Sequence, residues 1–202
     1  MYDLIEKFGD AAVRARDAGF DGVEVHGAHG YLIAQFMSAY SNKRIDEFGG
    51  DLTSRMKFPV DIVKNIRAKV GNGYPIIFRF SGDERVPGGR TIDESRVVAE
   101  KMEKAGVNAL HVSTGVYGSI PWLIAPSAVP PAYNVYAAEE IKKVVKIPVI
   151  AVGRINDPNL AEDILEGGKA DLVSLGRESI ADPELPNKTA AGMINEISPC
   201  IG

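Results

Sequence analysis

Asp21-Gly-Val-Glu-Val-His-Gly-Ala-His-Gly-Tyr31 reads as an apolar strand that runs straight into two histidines and a tyrosine. Gly27, Ala28 and Gly30 separate the three rings. Small residues there let a backbone turn sharply and let a flat ligand come close. Titratable groups at the exit of a buried strand are where α/β barrels keep their chemistry. The stretch therefore predicts a strand-to-turn unit and, in an enzyme, the source of a catalytic proton and a substrate clamp.

The same grammar recurs along the chain. Ala18-Gly19 before Val23, Ala105-Gly106 before Leu110 and Gly167-Gly168 before Leu172 each read as helix end, glycine stop, polar residues and apolar strand. Hydrophobic spacing predicts helices at 4–18, from near 54 to 70, 93–105, 137–145 and 158–166, with a last one beginning near Pro183. Strands are expected from Val23, at 74–80, 109–113, 148–152 and 171–175. Residues 115–136, with four prolines, Tyr117, Trp122 and Tyr133, break the rhythm as a long loop, and loops of that length inside a domain are usually functional or disordered. Apolar strands with little alternation, joined by helices, predict a parallel sheet covered on both faces. No Gly-x-Gly-x-x-Gly follows an early strand, which counts against a dinucleotide-binding Rossmann domain. A complete barrel uses about 250 residues and eight strands. Five strands in 202 residues thus predict one α/β domain over 1–202, a TIM (β/α)8 barrel with about five βα units visible.

Bulk properties bound the function. A net charge of −4 gives no reason to expect nucleic acid or an anionic membrane as partner. No apolar run approaches the ~20 residues of a membrane-spanning helix, and no signal peptide is visible. Cys200 is the single cysteine, so an intramolecular disulfide is impossible, which suits a cytoplasmic protein. Three histidines and one cysteine are too few for a structural zinc cage.

Three sets of strand-end residues carry candidate chemistry. His26 and His29 can hold a carbonyl or carboxylate oxygen, and the Tyr31 phenol can deliver a proton. The same residues are also compatible with a metal pair lacking a third ligand, or with core side chains satisfied by backbone carbonyls. Arg79, inside Ile76-Ile-Phe-Arg-Phe80, is either ion-paired with Asp83, Glu84 or Glu24 or presented to an electron-rich ligand. Gly153-Arg154 and Gly176-Arg177 end the last two strands with the same pair, and barrels often bind phosphate at the loops after strands seven and eight. His111 reads as a satisfied core histidine, Ser113-Thr-Gly115 as pocket lining, and Asn42-Lys-Arg44 with Asp46 as a structural turn.

Residues 22–36, Asn42-Lys-Arg44 with Asp46 and Gly49-Gly50, Phe78-Arg-Phe80 and Leu175-Gly-Arg177 together resemble the old yellow enzyme family, FMN-dependent oxidoreductases built on a TIM barrel. Residues 149–155 and Ser198-Pro-Cys-Ile-Gly202 narrow the likeness to its 2-enoate reductase and 2,4-dienoyl-CoA reductase branch. The resemblance implies Tyr31 as proton donor to the substrate α-carbon, with His26 and His29 holding the carbonyl oxygen. It implies Arg79 at the pyrimidine side of the flavin, and Gly153, Arg154, Gly176 and Arg177 around the FMN phosphate. NAD(P)H is the implied reductant and an enoate or enone the substrate. Cys200 matches the first of four [4Fe–4S] ligands, which only a longer parent chain could complete. The family's first three strands lie before Met1. The loop at 115–136 has no histidine where a dienoyl-CoA reductase carries one, and Tyr117 is the nearest polar candidate. The likeness favours an enoate or enone over a dienoyl-CoA. The alternative expectation is a partial barrel that is not catalytic alone and pairs with a copy of itself or a complementing segment to bind FMN, since open sheet edges invite pairing.

Overall fold

Val23–Gly27 (β1), Ile76–Ser81 (β2), Ala109–Ser113 (β3), Val149–Val152 (β4) and Leu172–Ser174 (β5) form one sheet in the order β1-β2-β3-β4-β5. Every neighbouring pair is parallel. The computed structural model describes residues 1–201, so the last residue of the 198–202 motif lies outside the described residues. Ten helices connect and flank the strands: α1 (Tyr2–Asp17), α2 (Leu32–Met37), α3 (Leu52–Arg55), α4 (Lys57–Val70), α5 (Ile92–Ala105), α6 (Ile120–Leu123), α7 (Val135–Lys142), α8 (Pro158–Glu166), α9 (Arg177–Ala181) and α10 (Leu185–Ala190). No helix among the described residues is long and apolar enough to cross a membrane.

Strand geometry divides the side chains between two faces, because successive residues point to opposite sides. Val25, Ile76, Phe78, Phe80, Leu110, Val112, Val149 and Ala151 form one face, buried with helix residues such as Phe58, Ile62 and Ile66 of α4, Val98 and Met102 of α5, and Ile141 of α7. The other face carries Glu24, His26, Arg79, His111 and Ser113. Parallel register sets His26 opposite Arg79 and Arg79 opposite His111. The expectation of a sheet covered on both faces therefore fails within this chain. Glu24, His26, Ile77, Arg79, Ile150 and Val152 remain partly exposed on the face that a closed (β/α)8 barrel turns to its interior.

Prolines mark three points along the helices. The helix expected from near residue 54 starts at Leu52, where the Asp51 carboxylate accepts from Ser54 N at 2.8 Å, and is interrupted at Met56. Pro59 has no N–H to give the Arg55 carbonyl, which breaks the ladder there. The last helix, expected to begin near Pro183, is α10 from Leu185, and the proline ring holds Asp182 extended (φ −142°, ψ 96°), which keeps it apart from the short α9 before it. Within 115–136 the chain makes a 3-10 turn, Tyr117–Ser119, and the short α6 with Pro121 in its first turn, and α7 begins at Val135. The 42–46 segment is a turn, as expected: Asn42 Nδ2 donates to the Phe36 and Phe48 carbonyls at 2.7 Å each, and Arg44 pairs with Asp46.

Among the described residues, one ion pair lies wholly inside the protein. Glu84 Oε2 accepts from Ser38 Oγ (2.6 Å) and from the Arg90 backbone N–H (2.8 Å), while its other oxygen lies 3.8 Å from the Arg90 guanidinium. Arg90 also donates to Ser95 Oγ at 2.5 Å and lies over the Phe80 ring. This knot joins the segment after β2 to the end of α2 and to α5. Removing one member leaves the other charge buried and alone, which costs about 3–5 kcal/mol. Arg90→Met is therefore expected to lower the urea midpoint by that amount of stability. The double variant Glu84→Gln/Arg90→Met is expected to recover part of it.

Candidate active site

The β1 exit is fixed by β2, β3 and the segment that follows β3. His29 adopts φ 64°, an uncommon conformation for a residue with a side chain. Its backbone N–H donates to Ser81 Oγ at 3.1 Å, and Ser81 Oγ donates onward to the Gly115 carbonyl at 2.8 Å. A parallel bridge joins His29 to Val116, and the His29 ring Nε2 lies 2.6 Å from Ser113 Oγ. His26 stands with its ring centroid 5.0 Å from His29 and 5.2 Å from Tyr31. Tyr31, at the start of α2, is 47% exposed and shares a 2.9 Å hydrogen bond with the Tyr117 hydroxyl. The structure brings His26, His29 and Tyr31 into one cluster.

Arg79 makes none of the ion pairs weighed from the sequence. Glu24 is engaged by His111 Nδ1 at 2.8 Å, Glu84 by Ser38 and Arg90, and Asp83 accepts from Tyr136 and the Arg85 N–H. Arg79 Nε is buried without a hydrogen-bond partner among the described residues. Burial draws the Arg79 guanidinium below its ordinary value, with Glu24 opposing. Its charge acts on the imidazoles nearby. Burial, then the Arg79 charge, pushes His29 down to about 4, and the same two causes lower His26. For Glu24, burial works upward, but the hydrogen bond and charge of His111 and the charge of Arg79 outweigh it and hold the carboxyl low. At neutral pH His26 and His29 are thus neutral imidazoles beside a cation, each ring with one donor and one acceptor.

The two Gly-Arg ends converge with Arg79 on a cavity of about 240 Å3. Gly153 adopts φ 132°, a conformation that favours glycine, and an added Cβ there would also crowd the Tyr133 ring at 3.1 Å. Arg154 Nη1 donates to the Ser127 carbonyl (2.9 Å) and Arg177 Nη1 to the Ala125 carbonyl (2.8 Å), which fastens the 115–136 segment over the cavity. Because α9 is only five residues long, the positive potential at that end comes from the guanidinium groups. Ser113 and Tyr133 also line the cavity, and Ser113 joins it to the His29 ring. Cys200 is a free, half-buried thiol that lines neither group. No set of three metal-ligating side chains occurs among the described residues.

Several positioning residues escape a reading of the sequence. Ser81 stands opposite Ser113 in the β2–β3 register, and that pairing makes it the support of the His29 backbone. Asn134 is buried and its Nδ2 donates to the carbonyls of Val112 (3.0 Å) and Val152 (3.3 Å), tying the ends of β3 and β4. Arg85 lies 4.1 Å over the Trp122 ring, and Tyr133 donates to the Trp122 carbonyl at 2.6 Å. A serine at an ordinary strand end or an asparagine at a helix start gives no signal in sequence that it will tie together neighbouring strand ends.

The profile of the NADH:flavin oxidoreductase / NADH oxidase family matches residues 1–196. An NADH oxidase of Thermoanaerobacter brockii is 55% identical over 98% of this chain and 31% of its own length. A cinnamate reductase of Clostridium sporogenes is 35% identical over 98% of this chain and 32% of its own. Among solved structures, a 2-naphthoyl-CoA reductase in complex with 2-naphthoyl-CoA superposes with a TM-score of 0.95 at 33% identity, covering 98% of this chain and 30% of that one. The chain spans about a third of the length of these relatives.

The electrostatics of the clamp can be read directly. Between pH 6.5 and about 4 the unfolded chain binds a proton at residue 29 that the folded chain refuses, so stability falls as pH drops through that window. An imidazole NMR titration is expected to place the His29 midpoint near 4. Arg79→Gln raises it, yet leaves it below 6.5, because burial is the larger cause.

Proposed function

The chain belongs to the NADH:flavin oxidoreductase / NADH oxidase family, the old yellow enzyme family, and from that premise we propose that it carries the substrate clamp and phosphate cradle of an FMN-dependent ene-reductase. One observation carries the reading: a partnerless buried Arg79 Nε and the Arg154 and Arg177 guanidiniums line a single cavity that Ser113 connects to the His26, His29 and Tyr31 cluster.

These residues fit the group. An unpaired cation suits the electron-rich edge of an isoalloxazine, and two guanidiniums beside a glycine suit a phosphate. Arg79 would hold the flavin ring, and Gly153, Arg154, Gly176 and Arg177 its phosphate. When bound, FMN supplies a hydride, taken from NAD(P)H, for the β-carbon of an activated alkene.

The chain's own part is binding, orientation and a proton. His26 and His29, neutral at working pH, donate hydrogen bonds to the substrate carbonyl or carboxylate oxygen and withdraw charge from the conjugated C=C. The Tyr31 hydroxyl releases its proton to the α-carbon. The Arg79 cation offsets negative charge that gathers beside it. Acting as one domain, residues 1–202 would form the carboxyl-terminal part of an FMN-binding barrel, with the remaining strands supplied by a longer chain, a complementing segment or a second copy. Cys200 alone cannot hold a four-thiolate cluster, so a [4Fe–4S] role for it depends on cysteines beyond this chain.

An enoate is favoured as acceptor by the cinnamate reductase relative. The NADH oxidase relative makes dioxygen the acceptor to test against it. The full-length protein loaded with FMN is expected to be yellow and to reduce an enoate without oxygen. A colourless protein, or a flavoprotein that consumes NAD(P)H only with dioxygen, overturns the reading. Tyr31→Phe is expected to slow alkene reduction by about 10²–10⁴-fold in stopped-flow measurements and to leave flavin reduction by NAD(P)H unchanged.

A further inference from the structure

Tyr117 forms a pair with Tyr31 that the proposed chemistry has not used. Their hydroxyls are 2.9 Å apart and their rings meet edge to face at 5.7 Å. Tyr117 is not held by that contact alone. Val116 bridges to His29, and Val116 N–H donates to Ser119 Oγ at 2.9 Å. Ser119 Oγ in turn donates to the carbonyl of buried Glu84 at 2.7 Å. Gly30, at φ 79°, makes the turn that brings Tyr31 alongside.

Tyr117 also lines a second cavity of about 270 Å3, together with Gln35, Ser38, Tyr40, Ser41 and Glu84. It shares no residue with the cavity that holds Arg79. At about 30 Å3 per water in the liquid, it has room for several, and its hydroxyls can hydrogen-bond them. A substrate seated over His26 and His29 covers the near side of Tyr31. Tyr117 is 60% exposed and keeps its contact with the second cavity.

We propose that Tyr117 is a positioning residue that orients the Tyr31 hydroxyl and returns a proton to it from solvent through this second cavity. The idea rests on the ene-reductase reading, and deepens it. The Tyr31 O–H bond breaks as a C–H bond forms at the α-carbon, with the hydride arriving at the β-carbon. The Tyr117 O–H proton then passes to the Tyr31 oxygen, and Tyr117 takes one proton from water. The net consumption is one hydride from NAD(P)H and one solvent proton per alkene. The charged and titratable groups facing the pair are His26 from β1 and Glu84 in the cavity wall, the latter matched by Arg90.

The hydrogen bond to Tyr31 raises the Tyr117 phenol above its ordinary value. In protein labelled with 13Cζ-tyrosine, Tyr31→Phe is therefore expected to bring the Tyr117 titration down toward the ordinary phenol range. An unmoved titration overturns the pair. In the FMN-loaded full-length protein, Tyr117→Phe is expected to slow the alkene half-reaction about tenfold or more and to spare reduction by NAD(P)H. An alkene half-reaction as fast as the parent's overturns the relay. If the parent reduces no enoate at all, the substrate reading falls, and the Tyr117 titration alone then decides whether the pair stands.

Discussion

The parallel ladder joining β1, β2 and β3 sets His26, Arg79 and His111 in one row, and the character of the site follows from that row. Three side chains able to carry positive charge face the same side of the sheet, with one carboxylate, Glu24, among them. Glu24 is taken by His111. Arg79 cannot be deprotonated under ordinary conditions, so it keeps its charge, and burial together with that charge lowers the imidazoles of His26 and His29. A clamp of neutral rings beside a cation is suited to polarising a carbonyl oxygen, because it donates hydrogen bonds without fixing a counter-ion.

The segment between β3 and α7 would be hard to hold by apolar contacts alone. It is held instead by backbone carbonyls that accept from Arg154 and Arg177, by Trp122 under Arg85, and by Asn134 beneath it. The two arginines proposed to meet a phosphate are therefore also fasteners of the cavity wall. Each guanidinium has five donors, so one N–H given to a carbonyl leaves others for an anion.

The strands and their glycine stops were legible because burial imposes composition: Ile76-Ile-Phe and Val149-Ile-Ala-Val can hardly be anything but buried strand. The groups at strand ends were legible for a related reason. Arginines and histidines that follow such runs all emerge on one edge of a parallel sheet. The break at Met56 was not foreseen, although Pro59 carried the information, because the effect of proline falls on residues before it. The half-exposed face was not foreseen either. Glu24, His26 and Arg79 alternate with apolar neighbours, a two-residue period outweighed by the overall apolarity of those strands. Ser81, Asn134 and the Tyr31–Tyr117 contact depend on register and loop path, which local pattern does not encode.

His29 occupies a left-handed backbone conformation and is kept there by Ser81, Ser113 and Val116. A non-glycine residue in that region costs on the order of 1–3 kcal/mol, met when the chain folds. At the proposed clamp, a ligand would find the His29 ring already oriented, with little further chain entropy to lose. Selectivity there would be decided by enthalpic fit to that fixed imidazole more than by adjustment around the guest.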